Sequence, residues 1–213
     1  EKLLSATLVG PYNTAAATIR NPVAGDFVYD ATAGASCNLR ASLAVPADCP
    51  EELYDLHVKT SARELTARKA VQVVREFRKR YTLVHVTDAH ITKDWTGDLA
   101  SGHDPAGKQV EQVVNTVNII GPDFVIHTGD AIMDYVKPAV PGMDAARKWE
   151  CFYEGSGGVR SFHGLNCPFF QTAGNHDHYQ AGGNPAAQYA ECNGLRTFGF
   201  SYGTGRFLAL DDS

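Results

Sequence analysis

YTLVHVTDAH (residues 81–90) decides the fold. Its apolar run from Tyr81 to Val86 breaks off into Asp88-Ala89-His90. Strand-forming residues that end in a carboxylate and an imidazole read as a buried parallel strand lifting its last residues out at its carboxyl end. The same design recurs twice. DFVIHTGD (123–130) is apolar from Asp123 to Ile126 and closes on Gly129-Asp130. PFFQTAGNHD (168–177) is apolar from Pro168 to Phe170 and closes on Gly174-Asn175-His176-Asp177. Open α/β sheets place their ligand sites at such strand ends. Asp, His, Asp, Asn and His together make a mixed nitrogen and oxygen donor set suited to divalent transition metals.

Outward from these strands the pattern alternates strand and helix. Between Pro105 and Ile120, residues Val110, Val113, Val114, Val117 and Ile120 fall at near-helical spacing, and Gly121-Pro122 stops the helix. A second helix is expected from about Met143 to Tyr153, then a glycine-rich loop at 155–158. A hairpin follows, Thr197–Tyr202 and Arg206–Leu210 around Gly203-Thr204-Gly205. Residues 80–213 therefore read as a layered α/β domain with a mixed sheet.

Residues 1–79 read differently. Short β-like runs at 6–9, 15–19, 27–29, 39–45, 53–58 and 70–74 alternate with turn signals at Gly10-Pro11, Asn21-Pro22, Gly34 and Pro46 to Pro50. Many short strands without a long helix predict a small all-β sandwich, fibronectin- or immunoglobulin-like in architecture. The basic run Arg75 to Arg80 at the junction reads as a solvated linker.

Charge is unevenly divided. Residues 1–79 carry a net charge of +1 and residues 80–213 one of −6, and seven of the eight histidines lie in the second region. Acid and imidazole gathered together suit cation binding and argue against a nucleic-acid surface. No run of 18 or more apolar residues occurs, so no membrane-spanning segment is expected. Five cysteines without C-x-x-C spacing argue against a zinc knuckle and favour disulfides in a secreted or cell-surface protein, Cys37 and Cys49 being near enough to close a short loop.

D-x-H, then G-D, then G-N-H-D, each closing a strand, resembles the calcineurin-like metallophosphoesterase family, with a sandwich-first architecture like that of purple acid phosphatases. The resemblance covers roughly residues 81–213. It implies a dinuclear centre of iron, manganese or zinc and phosphoester hydrolysis by a metal-activated hydroxide. By the family pattern Asp130 bridges the two ions, Asp88 and His90 hold the first, and Asn175 holds the second through its carbonyl oxygen. His176 is the implied general acid, and it needs a carboxylate to fix its tautomer. The family's position three residues after the bridge is Met133 here, so Asp134 or Asp177 is expected to serve.

The family also uses a later His and a G-H-x-H segment, and no histidine follows His178. The chain therefore reads as the front part of a longer enzyme, or as one completed by a further segment or second chain. The implied substrate is a phosphorylated small molecule or a phosphodiester. The alternative is a non-catalytic surface or assembly protein that keeps the scaffold. Singly, Asp88 also reads as a cap, His90 as a surface imidazole and Asn175 as an Asx-turn. The three motifs in order outweigh those readings. His85 and His127, inside apolar runs, read as core residues; His103 and His163 carry no signal, and Trp95 reads as packing.

Overall fold

The computed structural model describes residues 1–31, 33–91, 105–133, 144–178 and 185–211. The chain divides into two compact units, Glu1–Arg78 and Lys79–Ser213. Trp95, His103 and Asp134 lie outside the described residues.

The described residues of the first unit form five strands and no helix. β1 (Leu3–Val9), β2 (Thr14–Asp30), β3 (Ala35–Ala44), β4 (Leu53–Thr60) and β5 (Glu64–Gln72) pair antiparallel in the order β3-β2-β1-β4-β5. The five strands form one hydrogen-bonded series. β2 changes partner along its length: Thr14 to Ala17 face β1, and Thr18 to Asp30 face β3. Residues 15–19 and 27–29, expected as two strands, are thus one. Proline donates nothing to a ladder, but Pro22 falls at a register shift between Arg20 and Val23, with Asn21 at φ 48°. Leu39 and Leu43 of β3 share a cleft of about 280 Å³ with Val58 of β4 and Leu65 of β5, so the series folds back on itself. Its buried apolar core is thin, chiefly Ala6, Leu8, Ala17 and Tyr54.

None of the five cysteines forms a disulfide. The expected bridge between Cys37 and Cys49 is absent: Cys37 stands exposed on β3, and Cys49 is held in a turn by its N–H bond to Pro46 O at 3.1 Å.

The second unit centres on three parallel strands, β6 (Leu83–Val86), β7 (Phe124–His127) and β8 (Phe169–Gln171), in the order β6-β7-β8. Alternation along β7 serves two layers. Val125 and His127 face helices, whereas Phe124 meets aromatic rings of a hairpin. Helix α1 (Pro105–Ile120) buries Val110, Val114 and Val117 but leaves Val113 and Ile120 of the expected face exposed. Gly121 ends it at φ 62°, its N–H bonded to Val117 O at 2.9 Å.

Helix α2 (Ala145–Glu154) starts later than expected because Asp144 caps it, accepting from Arg147 N at 2.8 Å. Trp149, Cys151 and Phe152 pack from this helix into the core with Phe162 and Leu165. Two further helices follow, a single turn α3 (Asn175–His178) and α4 (Pro185–Asn193).

The hairpin β9 (Phe198–Tyr202) and β10 (Gly205–Ala209) turns through Gly203-Thr204, as expected. Among the described residues it forms its own two-stranded sheet, so the main sheet is parallel rather than mixed. Phe200 stacks on Phe170 at 3.7 Å between ring centroids, and Tyr202 Oη donates to Asp123 Oδ1 at 2.7 Å. Aromatic stacking thus seats the hairpin on the face of the sheet opposite the helices.

Candidate metal centre

Past Val86 the chain leaves the sheet but keeps company with β7's continuation. Thr128 N–H donates to Val86 O at 3.1 Å, Asp88 N–H to Gly129 O at 3.1 Å, and His90 N–H to Asp130 O at 2.9 Å. Ile91 and Ile132 then form a parallel bridge. The first two motifs are therefore laced together by their backbones. Asp88, His90 and Asp130 all adopt left-handed backbone, at φ 56°, 42° and 53°. Such a conformation costs about 1–2 kcal/mol for a residue with a Cβ. Asn21 and Lys69 share this conformation in the first unit, but only in the second does it gather on neighbouring side chains that can ligate a cation.

Two residues apart on an extended strand would point the same way. Asp88 and His90 do converge, but through these two left-handed turns rather than strand alternation. His90 Nε2 lies 3.7 Å from Asp88 Oδ1 and 3.8 Å from Asp130 Oδ2. Both distances are too long for hydrogen bonds. Ligand atoms sharing one ion at about 2.1 Å stand on the order of 3–4 Å apart. His90 Nδ1 is buried and has no hydrogen-bond partner among the described residues. An imidazole that bonds neither neighbouring carboxylate, in an N/O donor set, fits a cation.

The third motif closes the group. Donor atoms of His90, Asp130 and His176 lie within 4.8 Å of one another, and the rings of His90 and His176 meet edge to face at 5.0 Å. His176 N–H donates to Asp130 Oδ1 at 3.1 Å, fixing the carboxylate. Asp88 stands at the rim with its side chain 60% exposed. Asn175 opens α3 and is exposed. His178 ends the same turn.

Asp177 has a task that its place in the motif did not reveal. It is 1% exposed. Its Oδ1 accepts from Ala131 N at 2.9 Å and Ile132 N at 3.1 Å, and its Oδ2 from Gly174 N at 2.9 Å. The carboxylate is spent on backbone amides, where the sequence suggested an orienting partner for His176. Burial pushes its pKa up to about 6; Asp130 adds to the rise, and the three N–H groups oppose it. Asp134, the other suggested partner, falls outside the described residues.

The remaining histidines divide. His85 is exposed rather than in the core, with Nε2 2.7 Å from Thr128 Oγ1. His127 is fully buried. His163 pairs with Glu154 at 2.8 Å and stacks on Tyr153.

No curated protein matches the chain. Among solved structures it is similar to the purple acid phosphatase PPD1 from seeds of yellow lupin (Lupinus luteus), with 12% identity and a TM-score of 0.47 over 97% of this chain. The chain spans 39% of that protein's length. The family model of the calcineurin-like phosphoesterases matches residues 81–211, the whole stretch from β6 through the hairpin. The chain belongs to the calcineurin-like phosphoesterase family.

Proposed function

We propose that the second unit carries the centre of a metal-dependent phosphoester hydrolase, with Asp88, His90, Asp130 and Asn175 holding two ions of iron, manganese or zinc. The convergence of His90, Asp130 and His176 within 4.8 Å at three strand ends carries this reading. Two such cations, when bound, neutralise charge on phosphoryl oxygens and acidify water.

The protein's own groups divide the remaining work. Asp130 directs Oδ2 toward His90 while His176 N–H holds Oδ1, so both oxygens are oriented and one carboxylate can serve two cations. Asn175 contributes a neutral oxygen, which limits negative charge where an anionic substrate must approach. His176 gives its imidazole proton to the departing oxygen, a task that suits imidazole near neutral pH. The substrate is a phosphorylated small molecule or a phosphodiester. The net charge of −6 on residues 80–213 disfavours long polyanions.

Zinc or manganese titration of the chain and of Asp130→Asn, followed by hydrolysis of p-nitrophenyl phosphate and its diester, tests the reading. Stoichiometric binding and turnover, both lost in the variant, are expected. A purified chain that takes up no metal would leave the scaffold reading in its place.

A further inference from the structure

His127 lies beneath the metal-binding turn in a cage of Phe152, Phe162 and Phe169, with ring centroids at 5.3, 5.5 and 6.0 Å. Packing alone would accept a phenylalanine there. The ring has a second relationship, however: Nδ1 accepts the N–H of Gly129 at 3.3 Å. With Nδ1 accepting, the ring proton sits on Nε2, which is buried and has no hydrogen-bond partner among the described residues. Burial pushes the imidazole's pKa down to about 4, so near neutral pH it keeps the lone pair that Gly129 requires.

Gly129 is the hinge of the site. Its N–H goes to His127 and its carbonyl accepts the N–H of Asp88 at 3.1 Å. It stands at φ 96°, immediately before Asp130. Rotation at this one residue would move Asp88 and Asp130 together, and glycine resists rotation less than any other residue. A buried acceptor on its amide removes that freedom.

We propose that His127 is a positioning residue that holds the Gly129 amide through Nδ1 and thereby fixes the turn presenting Asp88 and Asp130 to a cation. The proposal rests on the metal-centre reading above. Groups hydrogen-bonded to metal ligands change metal affinity by about 10–100-fold when lost, and the brace on Gly129 is expected to act on that scale.

Two variants of the full chain separate positioning from packing. His127→Phe fills the cage and removes the acceptor; His127→Asn underfills the cage but returns an oxygen near the place of Nδ1. Zinc affinity by calorimetry and melting temperature are read on both, with hydrogen exchange at Gly129. Positioning predicts opposite orders. His127→Phe melts at or above the original chain, binds zinc 10–100-fold more weakly and loses protection at Gly129. His127→Asn melts lower and recovers most of the affinity.

Affinity that follows melting temperature through both variants overturns the proposal, as does unchanged affinity in His127→Phe. If His127→Phe fails to fold, weak zinc binding by a folded His127→Asn, or an unprotected Gly129 amide in the original chain, overturns it equally. Absence of metal binding by the original chain would instead defeat the proposed function, and protection at Gly129 would then test the brace by itself.

Discussion

Gly129 and Gly174 press backbone against backbone. A Cβ built on Gly129 would meet Gly174 N at 2.4 Å, and one on Gly174 would meet Asp130 N at 2.3 Å and Asp130 Oδ1 at 2.4 Å. The glycines of the second and third motifs are thus two halves of one contact, which brings the ends of β7 and β8 close enough to share a cation. Gly174→Ala should displace the Asp130 carboxylate, weaken zinc binding at least tenfold and cost about 1–3 kcal/mol of stability. Calorimetric titration beside a thermal melt reads both, and an alanine variant with unaltered zinc affinity would contradict the contact.

Asp177→Asn tests the clamp between the same strand ends. The amide keeps one acceptor oxygen but turns an NH₂ toward a backbone N–H that needs an acceptor. A loss of about 2 kcal/mol is expected from this unmade buried bond. Urea unfolding measures it, and exchange at Gly174, Ala131 and Ile132 should quicken together. A variant as stable as the original would assign the carboxylate elsewhere.

Acid should destabilise the second unit through His127. Burial sets its folded pKa at about 4, against an ordinary 6.5, with the nearby Asp88 charge resisting that fall and His85 and His90 adding to it. The unfolded chain therefore binds the proton first. Stability from this group is complete above pH 6.5, falls as pH drops toward 4, and is lost by roughly 3 kcal/mol below that. Melting curves across this window should show the loss, and His127→Phe should flatten it. An unchanged slope in that variant would exclude His127 as the source.

Asp88→Asn should leave the fold almost untouched, since the side chain is 60% exposed, with a change within about 0.5 kcal/mol. It should nonetheless abolish metal-dependent turnover. Full activity with bound metal in this variant would remove Asp88 from the ligand set.

The ends of β6, β7 and β8 were legible in the sequence because an apolar run that stops at polar residues has one simple physical solution. Helix α1 was legible from the spacing of Val110, Val114 and Val117. What escaped depended on the backbone. Pro22 looked like a turn, but a register shift in β2 absorbs it, and only the partner strand specifies a bulge. Helix α4 was missed because Pro185 to Asn193 is short and small-sided, without a marked apolar stripe.

At the centre, residue types and order were readable, and the local conformation was not. Nothing in D-x-H announces two left-handed residues. Nothing in G-N-H-D tells a carboxylate that holds amides from one that orients a histidine. The paired glycines were the available clue, since a glycine before a functional residue in two separate motifs hints that the two places touch.

Asp88, His90 and Asp130 occupy backbone shapes in which glycine rests without penalty. Breeding this molecule for heat resistance alone would therefore push all three toward glycine, and a descendant that had abandoned its chemistry would keep that drift as a scar. That acid and imidazole stand there instead sets the proposed cation binding against backbone ease.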